Sequence, residues 1–150
     1  MRRQDMRYGP IKIFAGNAGK SLAEKICQRL SISLSQANVS RFKDGEVRVD
    51  ILENVRDCDV FIINPTNPPA ENLMEMIILA DAIRGSSARR ITLVPTILGY
   101  NRQDRKDKPR APLSARLVCQ MLSLVKPSRA LLIDLHSEPT MGFFDNSIIV

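Results

Sequence analysis

The sequence predicts an α/β fold: a mainly parallel sheet flanked by helices, with a small β-hairpin near residues 38–52. Three observations predict it. Short apolar runs of strand length alternate along the chain with segments of helical periodicity, the order that yields a parallel sheet. The runs at 59–64, 91–98 and 129–135 are rich in successive apolar residues, as in strands covered on both faces. Asp44-Gly45 lies between two short β runs and is a strong hairpin-type turn signal.

The first strand is Ile11-Lys-Ile-Phe14, ending at Gly16. From Lys20 to Leu30, Leu22, Ala23, Ile26, Cys27 and Leu30 recur at the spacing of a packed helix. Asn38 to Phe42 and Glu46 to Leu52 form the hairpin, where Val47, Val49 and Ile51 alternate with Arg48 and Asp50 and leave one face wet. Asp59 to Asn64 is a strand closed by Pro65 and Pro68-Pro69. A second helix runs from Asn72 to Arg84 and stops at Gly85. Ile91 to Leu98 is a strand with an irregularity at Pro95, which has no N–H for the ladder. Leu113 to Val125 makes a third helix, ended by Lys126-Pro127, and Arg129 to Leu135 the last strand. No repeat or Gly/Ser linker divides the chain, so residues 1–9 are expected as a flexible tail and 10–150 as one domain.

Composition narrows the function classes. Hydrophobic and charged contents of 44% and 25% are those of a globular chain, not a disordered or fibrous one. The apolar runs fall short of the roughly 20 residues a membrane helix needs, and the basic N-terminus has no apolar stretch behind it. No membrane partner is expected. Cys27, Cys58 and Cys119 are odd in number and lack metal spacing, which points to buried reduced thiols in a cytoplasmic protein. A pI near 9.6 suggests nucleic acid, but there is no Trp and only two Tyr to interleave with the charge. A basic nucleic-acid-binding domain is therefore the weaker reading, and no nucleic-acid partner is expected.

Half of the formal +6 lies in Tyr100 to Pro112, where Arg102, Arg105, Lys106, Lys108 and Arg110 stand against Asp104 and Asp107. The segment follows a strand, and open α/β sheets bind ligands beyond the carboxyl ends of their strands. Arg forks among flexible lysines suit a polyphosphate, while a solvated charged loop is the alternative. Gly16-Asn-Ala-Gly-Lys-Ser21 is not a P-loop, because Phe14 stands where the pattern needs its first glycine. It reads as a tight strand-to-helix turn with Ser21 or Asn17 near the cap. Asp134 and His136, two apart at the end of the last expected strand, leave on one face. They form either a ligand pair or a structural His–Asp pair, with Asp134 the better ligand for a hard cation.

Four ordered segments resemble the ribose-phosphate pyrophosphokinases, the phosphoribosyl pyrophosphate (PRPP) synthetases. Tyr100 to Arg116 resembles the family's ATP-binding signature, and Phe42-Lys-Asp-Gly-Glu46 its FSDGE-type segment. Asn72-Leu-Met-Glu75 is similar to its NLMEL helix, and Asp134-Leu-His136 with Gly142-Phe-Phe-Asp145 to its metal-site stretch. The chain then reads Asn146-Ser-Ile-Ile-Val150 where family members continue with a Pro and another Asp. The resemblance implies a phosphoribosyltransferase-like fold and the N-terminal half of a family chain, with the C-terminal domain and its catalytic loop absent. It implies a ribose-phosphate diphosphokinase, a transferase that passes the diphosphoryl group of Mg-ATP to ribose 5-phosphate, giving PRPP and AMP for nucleotide biosynthesis.

By the same resemblance, ATP is expected on Arg102, Gln103, Asp107 and His136, and on Phe42, Asp44 and Glu46 acting across subunits of a homo-oligomer. Read without it, Phe42 is a core residue and Asp44-Gly45 a turn. Mg²⁺ is expected on Asp134, His136 and Asp145. No catalytic residue is assigned, ribose 5-phosphate needs the absent domain, and the chain is expected to be inactive alone. A non-catalytic, PRPP-synthetase-like regulatory subunit is the alternative.

Overall fold

The computed structural model describes residues 8–150; of the expected tail, residues 1–7 lie outside that range. At its end, the Tyr8 ring lies 4.6 Å from the Arg90 guanidinium. The elements follow the expected alternation: β1 (Ile11–Ala15), α1 (Lys20–Leu30), β2 (Ala37–Arg41), β3 (Val47–Ile51), β4 (Asp59–Asn64) and α2 (Glu71–Gly85). Then come β5 (Arg90–Pro95), α3 (Ser114–Leu124), β6 (Arg129–Ala130) and a 3₁₀ turn at Glu138–Phe143.

Strands β1, β4, β5 and β6 form one parallel sheet in that order. Side chains alternate across it. Ile13, Ile63 and Val94 pack on Ala23 and Cys27 of α1. Phe14, Val60, Ile62, Ile91 and Leu93 face the opposite way, onto α2 and α3 through Met76, Leu79, Ile83, Val118 and Leu122. The two-sided cover explains the continuous apolar runs, and each fully buried large side chain contributes about 1.5–3 kcal/mol. At the amino edge Arg90 grips Asp59 with two hydrogen bonds of 2.9 and 2.7 Å, joining β5 to β4.

Strands β2 and β3 form a separate antiparallel hairpin, registered from Ala37 opposite Ile51 to Arg41 opposite Val47. Ala37, Val49 and Ile51 rest on the main core. The tip is turned by Gly45 at φ +95°, a conformation that favours glycine.

Three local expectations are corrected. Strand β5 stops at Pro95 rather than reaching Leu98, because the chain turns there onto Thr66. The last strand is two residues long rather than seven. Extending it would pair it with Pro95, which has no N–H to give, and Leu131 and Ile133 are left exposed. Helix α1 is capped by Gly19, not by Asn17 or Ser21, and its N–H is taken from a distance by Asn64 Oδ1 at 2.9 Å. A Cβ on Gly19 would lie 2.2 Å from the Ile63 carbonyl oxygen, so only glycine fits so close to β4. Asn17 instead binds Glu75 of α2, through its main-chain N–H at 2.8 Å and its side-chain amide at 2.9 Å. The three cysteines are buried and free, and burial pushes the Cys119 thiol up to about 12.

Candidate functional site

Loops leaving the carboxyl ends of β4, β5 and β6 enclose a cleft of about 700 Å³. Its walls include Asn67 and Pro68 from the first loop, Leu98 to Gln103 from the second, and Asp134 and His136 from the third, with Ser114 at the start of α3. The second loop is tied at both ends. Gly99 N–H donates to Thr66 Oγ1 at 2.9 Å, and Thr66 N–H donates to the Ile97 carbonyl at 2.9 Å. A Cβ on Gly99 would stand 2.2 Å from the Thr66 carbonyl oxygen, so no other residue allows that approach. Tyr100 follows at φ +60°, a left-handed turn that costs a residue with a Cβ about 1 kcal/mol. At the far end, Gln103 accepts from the Ser114 hydroxyl at 2.7 Å and from Ala115 N–H at 3.1 Å, fixing the loop to α3.

The loop's charge is open to solvent. Among the described residues Arg102 has no carboxylate within ion-pair distance, and Arg105, Lys106, Lys108 and Arg110 are exposed beside it in the chain. Asp104 is the exception. A hydrogen bond from Ser137, with help from the charges of His136 and Arg105, holds its carboxyl below the usual carboxylate range despite some burial.

Four of the expected site residues meet in this cleft: Arg102, Gln103, Asp134 and His136. Asp134 and His136 do so from irregular chain after β6, not from a shared strand face. Asp107 is exposed on the same loop but does not line the cleft. Asp145 lines a second cleft of about 620 Å³ with Arg116 and Lys126. Its carboxylate accepts from the Ser147 hydroxyl at 2.6 Å and N–H at 2.8 Å; these bonds, with the charge of Lys126, hold it low. Phe42 and Asp44 line a further hollow at the hairpin tip with Arg41, Lys43 and Arg48. There Asp44 takes the Glu46 N–H at 3.1 Å, Phe42 is half exposed, and Arg48 lies 5.6 Å from its ring. Glu46 is exposed.

The donor set bears on the expected Mg²⁺. Among the described residues no three His, Cys, Asp or Glu side chains are grouped as a protein cage. Mg²⁺ seldom uses one: it keeps waters and takes one or two carboxylates plus the oxygens of a bound phosphate. Asp134, beside His136 on an open cleft, fits that mode.

Sequence reasoning missed the uncharged side chains that shape this edge. Thr66 anchors Gly99, Asn64 holds the N–H of Gly19 at the start of α1, and buried Asn101 and Thr140 bind each other at 2.9 Å. Asn101 falls within the Tyr100–Arg116 segment, but no motif or periodicity marks these pairings, since each partner lies far along the chain.

Known proteins carry the same frame. The family model described as the N-terminal domain of ribose phosphate pyrophosphokinase matches residues 11–125. A ribose-phosphate pyrophosphokinase of Thermotoga maritima is 48% identical over 136 residues, covering 90% of this chain and 43% of the relative. That of Haemophilus influenzae is 52% identical over 137 residues, covering 90% and 44%. The crystal structure of phosphoribosylpyrophosphate synthetase from Mycobacterium smegmatis superposes with a TM-score of 0.84 at 34% identity, over 93% of this chain and 47% of that one. The chain thus spans less than half the length of these relatives. With most of its residues matched by the family model, and the sheet that builds the cleft shared with a solved synthetase, the chain belongs to the ribose-phosphate pyrophosphokinase family and corresponds to its N-terminal domain.

Proposed function

We propose that this chain supplies the ATP- and magnesium-binding portion of a ribose-phosphate diphosphokinase, which moves the diphosphoryl group of ATP onto ribose 5-phosphate. The observation that carries this reading is the convergence of Arg102, Gln103, Asp134 and His136 on one cleft at the carboxyl edge of the sheet. In the reaction the anomeric hydroxyl of the sugar attacks the β-phosphorus of ATP and AMP leaves. Such a transfer depends on alignment and on neutralising charge, more than on covalent help from side chains.

The chain's own residues fit those tasks. Arg102 is free to fork onto phosphate oxygens or to lie flat on a purine. With its oxygen held by Ser114, Gln103 keeps its amide N–H groups for a directional contact. Asp134 and His136 would hold Mg²⁺, which when bound supplies charge neutralisation at the phosphates. Asp107, on the same loop, is assigned to the nucleotide as well. Phe42 and Asp44 sit at a separate hollow and Glu46 is exposed nearby in the chain, in keeping with service to a neighbouring copy in a homo-oligomer. We assign the ribose 5-phosphate contacts to the part of the relatives' length that this chain does not span. A cytoplasmic setting agrees with three free buried thiols.

Two measurements test the reading. Calorimetric titration should show weak binding of Mg·ATP, reduced by Asp134→Asn and unchanged by Asp145→Asn, whose carboxylate lines the other cleft. A coupled assay with ribose 5-phosphate should show no AMP release by the isolated chain. Absence of nucleotide binding defeats the proposal, and robust AMP release defeats the claim of inactivity alone.

A further inference from the structure

Two walls of the cleft are joined by a buried polar contact. The Thr140 hydroxyl, fully buried, donates to Asn101 Oδ1 at 2.9 Å, and Asn101 is itself 5% exposed. Asn101 immediately precedes Arg102 and Gln103. Thr140 lies in the 3₁₀ turn that follows His136, with its N–H on the Ser137 carbonyl at 3.2 Å and its hydroxyl 3.5 Å from that of Ser137. On its inner side the turn rests on α3, where Cys119 Sγ lies 3.9 Å from the Thr140 carbonyl oxygen.

Between the Gly99 anchor on Thr66 and the far end of the cationic segment at Arg110, Asn101 is the only buried side chain. Charged neighbours on a solvated loop specify no single position. A buried amide does, because apolar packing accepts many registers whereas an unmade hydrogen bond in the interior is costly. We propose that the Asn101–Thr140 bond is a positioning element of the nucleotide cleft, seating the Arg102–Gln103 wall against the Asp134–His136 wall. This rests on the assignment of the cleft to Mg·ATP.

The test is Mg·ATP titration of the full chain, paired with its thermal midpoint. Thr140→Val keeps the branched shape and removes the hydroxyl, and it should weaken Mg·ATP binding about tenfold, measured well below the midpoint. Thr140→Ser keeps the hydroxyl and should bind within about twofold of wild type. Combined with Arg102→Ala, the Val penalty should be less than additive, since both act through one wall. A purely structural threonine would lower the midpoint and leave the folded protein's affinity alone. If Thr140→Val does not fold, Asn101→Leu with Thr140→Val removes both polar groups together; it should fold and still bind weakly. Wild-type affinity in Thr140→Val, or in the double variant where Thr140→Val does not fold, or full additivity with Arg102→Ala, overturns the inference while the cleft assignment stands. A wild-type chain that does not bind Mg·ATP overturns both.

Discussion

Arg102 enters the cleft wall exposed and without a carboxylate at ion-pair distance among the described residues, so its guanidinium is available to a ligand. Its five N–H donors form a flat fork, and a lysine ammonium cannot reproduce that shape. Arg102→Ala should weaken Mg·ATP binding about tenfold, and Arg102→Lys should recover only part of the loss, read by calorimetry. Charged residues of this kind were legible in the sequence, because charge and order along the chain are visible without a fold. The structural roles of Asn101, Asn64 and Glu75 were not. Their hydrogen bonds span 39, 45 and 58 residues, and only the packed sheet brings the partners together.

The hairpin is held at its flank and its base by two carboxylates. At the flank, buried Glu75 accepts both donors of Asn17, and the Asn17 amide also reaches the Val39 carbonyl of β2 at 3.2 Å. Glu75→Ala should cost about 2 kcal/mol in a urea melt, since it strips acceptors from a nearly sealed site. Glu75→Gln should recover part of that, because one of its two positions must turn an NH₂ toward a donor. At the base, Glu53 accepts from Lys12 of β1 and from the Gln36 N–H. Burial alone would raise its pKa, but the bonds from Lys12, Gln36 and Ser35 and the charge of Lys12 hold it below the ordinary value. A lowered folded value means that its stabilisation is complete above the unfolded pKa and fades as pH falls through the folded one. Thermal midpoints should therefore decline on acidification below about pH 4, and less steeply in Glu53→Gln. Strands covered on both faces announced themselves by their apolar runs. The brevity of β6 did not, because it follows from the pairing partner at Pro95 and not from the apolar residues Leu131 and Ile133 themselves.

At the scale of the whole molecule, a formal charge of +6 with half of it on one loop makes anion binding sensitive to ionic strength. Mg·ATP affinity should fall on raising salt from about 0.05 to 0.3 M, while thermal stability, which rests on the apolar core, changes little. If the hairpin tip serves a neighbouring copy, apparent affinity should also rise with protein concentration in the same titrations and drop to the low-concentration value in Phe42→Ala.

The three thiols are shut within the two layers that flank the sheet, and the chain has no others. A cysteine placed at exposed Lys43 would therefore be the molecule's single handle for maleimide chemistry. A spin label or crosslinker attached there would report directly on whether the arm of one copy approaches the body of another.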